Sequence, residues 1–393
     1  VPFTDSILRP GRLLHDGRVR GWLAQLAIAL GVLGLVWYFV DNAGQNLARS
    51  GVATGFDFMG ARSGVDIDFK LIEYGPDSSY ARLLLVGIAN TLFVSAFGIV
   101  LATVLGFAVG IGRLSQNWLL QGFSTIYVEA VRNVPLLLFV LLWYYLVIRG
   151  LPAPRQSIDL FGAGFVNNRG VFLPSPVAGA PFYAVPAAFA AGVLATLVLR
   201  RWARARQDAT GRPFPVFEAG LALVAGLPLL AAVVAALATP WNWPALRGFG
   251  VRGGVAVIPE FLALLAALGT YTAAFIAEIV RGGILSVTRG QREAAAALGL
   301  SRRQVLRLVV LPQAMRVIIP PLTSQYVNLV KNSSYAAVIA YPEIVSVFVG
   351  SALNNTGRAV EIIAITLAIY LAINVSVSLL MTWYSARTAT AAR

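Results

Sequence analysis

The sequence predicts an all-α polytopic membrane protein, on three observations: apolar blocks long enough to cross a bilayer, sparse charge, and arginines gathered in short segments between the blocks. Of 393 residues, 58% are hydrophobic and 12% charged, with a mean hydropathy of +0.74; a soluble domain is about half apolar and about a quarter charged. About 20 apolar residues span the roughly 30 Å of hydrocarbon as a helix. A net charge of +14 would suggest nucleic acid in a soluble chain. Here the arginines lie where positive charge sets topology, and no basic and aromatic interleaving forms a nucleic-acid platform. Cysteine is absent, which excludes a disulfide framework and a thiolate metal site.

About eight spans follow along the chain, near 22–40, 83–111, 134–148, 183–199, 216–238, 259–280, 317–340 and 359–383. The first is too long for a signal-peptide core and lacks a cleavage site, so it reads as an uncleaved helix with the N-terminus in the cytoplasm. His15 lies before it in a basic segment and reads as a surface residue. Residues 41–82 carry more acids than bases, as an external loop does. Alternation from a cytoplasmic start puts the cluster from Arg200 to Arg206 inside, together with Arg281, Arg289, Arg292, Arg302, Arg303, Arg307 and Arg316, and returns the C-terminus to the cytoplasm. Segments 150–182 and 239–258 read as Pro- and Gly-rich external loops.

The most informative stretch begins at Thr288. Thr288 and Gln291 have capping-box spacing, alanines favour a helix through 297, and Gly299 suits the left-handed residue that ends it. Ser301 and Gln304 repeat the capping box before a second helix runs toward Leu311-Pro312. A short polar-and-alanine helix is thereby presented between two membrane segments, an element shaped to be gripped by a partner.

Glu293-Ala294-Ala295, then Gly299, Val309 and Leu311-Pro312 at their spacings, resemble the EAA motif of ABC importer permeases, with valine in place of the usual isoleucine. The runs Tyr271–Ile284, Pro320–Ser334 and Tyr127–Leu137 look like the polar amino-acid branch of that family. Gly55-Phe56-Asp57-Phe58-Met59 and the extra spans between 150 and 256 resemble the Q-type permease subunit of general L-amino acid transporters. The resemblance implies a five-helix type I importer (MetI-like) core, built from 83–149 and 257–385. Added to it are an N-terminal segment, span and external loop (1–82), inserted loops with two extra helices (150–256) and a cytoplasmic tail (386–393).

The resemblance further implies a bacterial inner-membrane location and four kinds of neighbour: two ATPase subunits, a second permease subunit that makes a heterodimer, a periplasmic amino-acid-binding protein, and lipid. No cofactor is implied for this chain; ATP and Mg belong to the ATPase. No Gly-x-x-x-x-Gly-Lys-Ser/Thr occurs, and the only lysines are Lys70 and Lys331, so the chain has no P-loop with which to cradle a nucleotide phosphate.

The resemblance makes Glu293, Ala294, Ala295 and Gly299 the coupling helix, with Arg302, Arg303 and Arg307 flanking it, although arginines there also satisfy topology. Along the pathway, Lys331 with Asn332, Ser333 and Ser334 is a candidate for holding a substrate carboxylate; an intersubunit or intrahelical salt bridge is the other reading. Glu278 is a further pathway candidate, but it precedes Arg281 by one turn, a spacing that favours a local ion pair. Asn90 and Thr91 are weaker pathway candidates. A secondary amino-acid transporter driven by an ion gradient would explain the spans but not the motif. A membrane-embedded enzyme is disfavoured, because the spans hold no cluster of His, Cys or paired carboxylates.

Overall fold

The computed structural model describes residues 17–49, 55–177, 183–211 and 214–390; His15 and Arg393 lie outside them. Among the described residues seven helices are long and apolar enough to cross a membrane, or eight if one bent pair forms a single span. The bilayer interior offers no partner for a backbone amide, so each crossing satisfies its own groups as a helix. The long helices are α1 (Gly17–Arg49), α2 (Tyr80–Gly112), α5 (Ala184–Thr210), α6 (Val216–Ala238), α7 (Pro259–Leu285), α9 (Leu311–Asn332) and α10 (Ala359–Thr390). The bent pair is α3 (Trp118–Arg132) and α4 (Leu136–Gly150), which turn by 112° across Asn133-Val134-Pro135. The 15 residues of α4 rise about 22 Å, so α4 alone is short of the roughly 30 Å crossing expected at 134–148.

The chain forms two compact units. The first takes residues up to Ala89 and Pro342–Ile373. Its core gathers Phe58, Tyr80, Leu83, Phe348 and Ile362, with the Phe58 ring stacked on Phe348 at 6.4 Å and edge-on to Tyr80 at 6.0 Å. The segment carrying Gly55 to Met59 is pinned by its ends: Arg358 donates to the Asp57 carboxylate at 2.5 Å and to the Gly55 carbonyl at 2.7 Å. Glu361 in turn accepts the Gly55 amide at 2.7 Å. The guanidinium holds the Asp57 carboxyl below its usual range. Glu343 is fully buried and starts the π-helix Ile344–Ala352, accepting from the Val345 and Ser346 amides and from the Tyr370 hydroxyl.

The second unit takes Asn90–Tyr341 and residues from Asn374 onward. Its most buried helix is α7, packed against α3, α4 and α9. Close approach to α2 depends on Gly106 and Gly110, a small-xxx-small pair. A Cβ on Gly110 would meet the Ala277 carbonyl oxygen at 2.7 Å, and one on Gly106 would meet Ile276 at 2.6 Å. Against α9 the same logic holds at Gly283 of α7, where a Cβ would strike Ile318 at 2.3 Å. α5 and α6 form a hairpin packed chiefly on itself, closed by Gly192 against Leu223.

One expectation is corrected. The described segments 150–177 and 239–258 are not plain loops: they hold a four-stranded sheet and two hairpin-sized pairs. In the sheet, β1 (Ile158–Asp159), β2 (Phe165–Asn167), β3 (Gly170–Leu173) and β8 (Val255–Val257) run in the order β1-β2-β3-β8. β4 (Ser175–Pro176) pairs with β5 (Trp241–Asn242), and β6 (Ala245–Arg247) with β7 (Gly250–Arg252). Strands of two to four residues are too short to show alternation, and the β3–β8 pairing is non-local. The arginines of 200–206 extend α5 past its apolar part, where Arg206 stacks over Trp202 at 5.3 Å.

Gly110→Ala is expected to lower the thermal unfolding midpoint of the detergent-solubilised chain, with about 1–3 kcal/mol lost to overpacking against a backbone oxygen. Gly122→Ala, where a Cβ meets nothing within 4 Å, is the matched control and is expected to leave the midpoint unchanged or slightly raised.

Candidate functional site

The loop after α7 holds α8 (Arg289–Ala297), whose limits match the stretch that the alanines favour. Thr288 occupies the N-cap position in extended backbone, but its side chain makes no capping hydrogen bond, so the first capping box is not formed. The C-terminal end is fully specified. Gly299 has φ +77, its amide donates to Ala296 at 2.9 Å, and the Leu300 amide donates to Ala295 at 3.3 Å. This is the paired 5→2 and 6→1 bonding of a Schellman stop, which requires a left-handed residue and so selects glycine.

The second capping box does form. The Gln304 carbonyl accepts from the Ser301 amide at 2.9 Å and the Ser301 hydroxyl at 2.8 Å, while Ser301 Oγ accepts the Gln304 amide at 3.4 Å. One turn at Arg302–Gln304 then continues through the π-helical Val305–Val310 into α9. Two stops, one at each side of Leu300, thus fix the angle at which α8 is carried.

On α8 only Ala295 is buried. Ala294 and Ala296 are exposed, as is Glu293, which accepts from Arg289 Nε at 2.7 Å in a solvent-exposed pair of small energetic weight. Leu298 stands 82% exposed at the tip. The helix is tethered from behind by Arg292, which donates to the Ile284 carbonyl at 2.6 Å beside an apolar cleft lined by Ala296, Leu300, Val305, Leu306 and Val310. Arg303 is exposed; the Arg302 side chain lies outside the described residues.

A charged cluster ties the neighbouring helices together. Glu278 on α7 accepts from Arg281 at 2.5 Å, one turn on, as its spacing implies, and also from Arg113 just past the end of α2. Arg113 reaches Glu129 on α3 at 3.5 Å. Tyr127 on α3 donates to the Thr270 carbonyl on α7, and Arg132 lies over Phe275 at 5.4 Å. Within the run Tyr127 to Arg132, Tyr127, Val128, Val131 and Arg132 are therefore the side chains with which α3 grips α7. Arg113 escaped the sequence reading because its partners lie 16 and 165 residues away.

The pathway candidates separate into two groups. Lys331, in the last turn of α9, is exposed and makes no ion pair among the described residues. Asn332 is half-buried beside it. The Ser333 and Ser334 hydroxyls are turned onto the carbonyls of Val330 and Lys331 at 2.7 and 2.8 Å. Asn90 and Thr91 are fully buried, and the Asn90 carbonyl accepts the Tyr341 hydroxyl at 3.1 Å.

The family profile described as binding-protein-dependent transport system inner membrane component matches residues 98–390. A putative amino-acid ABC transporter permease of Escherichia coli, YhdX, is 48% identical over 371 residues, 94% of this chain and 94% of that protein. The general L-amino acid transport system permease AapQ of Rhizobium johnstonii is 46% identical, covering 96% of this chain and 94% of its own length. The glutamate/glutamine/aspartate/asparagine transport system permease BztB of Rhodobacter capsulatus is 39% identical, with 96% and 95% covered.

Gly299→Ala forces an L side chain into left-handed backbone and is expected to cost about 1 kcal/mol locally, read as faster amide exchange across 289–300 by mass spectrometry. Gly290→Ala, inside α8 with open space around it, is expected to slow exchange over the same residues, since alanine favours a helix by about 1 kcal/mol over glycine.

Proposed function

We propose that this chain, which belongs to the family of binding-protein-dependent transport system inner membrane components, is one permease subunit of an importer that carries L-amino acids inward, powered by a separate ATPase. The observation that carries this reading is α8: nine residues, one of them buried, held at a set angle between two membrane helices. Membership of a binding-protein-dependent family sets aside the ion-gradient alternative. The chain acts in transport and is not itself an enzyme; ATP and Mg are taken to bind the ATPase. Amino acids are the substrate class because the relatives with which this chain shares nearly its whole length are named for them.

In this reading two ATPase subunits each receive a coupling helix in a surface groove, one from this chain and one from a second permease that completes a heterodimer. Ala294 and Ala296 allow close approach, Leu298 fills an apolar recess, and Glu293 with Arg303 and Arg302 sets the register. Closure of the ATPase pair displaces α8. The two stops around Leu300 keep that displacement from being absorbed by bending, and the Arg113–Glu278–Arg281 cluster passes it from α7 to the ends of α2 and α3.

In this reading there are eight crossings, with α3 and α4 as one broken span, which would leave both termini and α8 in the cytoplasm and the β-structure outside. The β3–β8 pairing supports that count, because it requires segments 150–177 and 239–258 to lie on one side, as two crossings between them provide. Lys331 faces the second permease or the pathway, since an unpaired ammonium turned to lipid is costly; there it meets a substrate carboxylate.

Reconstitution of wild type and Glu293→Lys with the ATPase, the second permease and the binding protein tests the reading. Wild type is expected to co-purify with the ATPase and to take up amino acids in an ATP-dependent manner. The substitution is expected to cut uptake by about tenfold or more, since charge reversal opposite a groove costs several kcal/mol, while the folded permease remains. Absence of any ATPase association with wild type would overturn it.

A further inference from the structure

The insertion between α4 and α7 carries a charge pattern that topology does not explain. Segments 150–182 and 239–258 hold four arginines, Arg155, Arg169, Arg247 and Arg252, against a single acid, Asp159. That acid is exposed on β1 and accepts the Gly162 amide of its own loop at 2.7 Å. None of the four arginines makes an ion pair among the described residues. β8 leads directly into the first turn of α7, and α8 follows the other end of that helix; at 27 residues α7 is about 40 Å long. The arginines therefore stand across the membrane from the coupling helix, on the side where the positive-inside rule depletes them.

They are also brought together. Arg169, Arg247 and Arg252 line one open depression of about 390 Å3, with Phe249 and the backbone of the β6–β7 hairpin as its wall. Arg155 stacks on the Phe249 ring at 4.1 Å to its centre. The hairpin is set by its register, Ala245 opposite Arg252 and Arg247 opposite Gly250, with Gly248 at φ +61 in the turn. Phe249 is 75% exposed and Trp243 57%. Guanidinium groups and aromatic rings on a rigid backbone are the composition of protein-binding hot spots.

We propose that this four-arginine face of the insertion is a docking surface for a carboxylate-rich face of the importer's soluble solute-binding protein. The surface lies on the side from which a binding-protein-dependent importer is loaded. The proposal rests on the importer reading only for its side of the membrane. A shallow basin rimmed by guanidinium forks fits protruding carboxylates of a folded partner, which arginine binds in a bidentate manner. Long-range attraction also speeds encounter, within a Debye length of about 8 Å at physiological salt.

The test uses the full permease pair in nanodiscs without the ATPase, so that a failure of the coupling reading leaves it intact. Affinity for the purified solute-binding protein is measured by biolayer interferometry across a sodium chloride series. Wild-type affinity is expected to fall as salt rises. Arg247→Glu with Arg252→Glu is expected to weaken binding about tenfold or more at low salt and to flatten the salt dependence. Arg247→Lys with Arg252→Lys, which keeps the charge but loses the bidentate fork, is expected to weaken binding less than the reversed variant and to keep the salt dependence. Salt-independent wild-type binding overturns the proposal whether or not the reversed variant folds, as does full affinity in that variant. The same discs made with phosphatidylglycerol or with phosphatidylcholine alone test a lipid occupant. A thermal midpoint that rises with phosphatidylglycerol only in wild type, with binding-protein affinity equal in all variants, assigns the face to headgroups and also overturns the proposal.

Discussion

The close approach of α2, α3 and α9 to α7 is the constraint on which the rest of the second unit depends. Water-driven burial gives no force between helices in lipid, so packing must come from shape. Gly106 and Gly110 on α2 and Gly283 on α7 remove the side chains that would hold the backbones apart. Val128, Val131, Ala274 and Ala277 then fill the seam between α3 and α7. The ion cluster of Arg113, Glu129, Glu278 and Arg281 can form only because that packing brings the end of α2 beside α7.

The same helix joins the β-structure of the insertion to α8. A helix so buried cannot shift alone, since its neighbours are locked by glycine contacts that tolerate no sliding by a methyl group. α8 is the opposite kind of element: nearly all exposed, stabilised by its own ends and by the Arg292 tether. A stiff shaft with a separately capped handle suits transmission of force better than a loop that bends.

The first unit solves a different problem, that of fixing a polar segment to membrane helices without a large core. Asp57 and Arg358 clamp it from outside, Phe58 inserts from inside, and Glu343 organises the π-helix that Phe58 packs upon. The run from Gly55 to Met59, a sequence signature at first sight, is thus the foot of a strap whose partners, Arg358 and Glu361, lie some three hundred residues away.

The sequence alone determined the membrane class, the position of nearly every span, the limits of α8 and the left-handed Gly299, because each follows from local rules: hydropathy over about 20 residues, helix propensity and cap chemistry. It also identified the Glu278–Arg281 pair, which is one helical turn in extent. Only the tertiary structure decided the β-structure of the insertion, the pairing of Arg113 with α7, the failure of Thr288 to cap, and the gathering of four arginines about Phe249. Those depend on contacts between residues far apart in the chain, and on side-chain directions that a single sequence does not encode locally. Spacing along a helix is written in the sequence, whereas proximity across the fold exists only once the helices have packed.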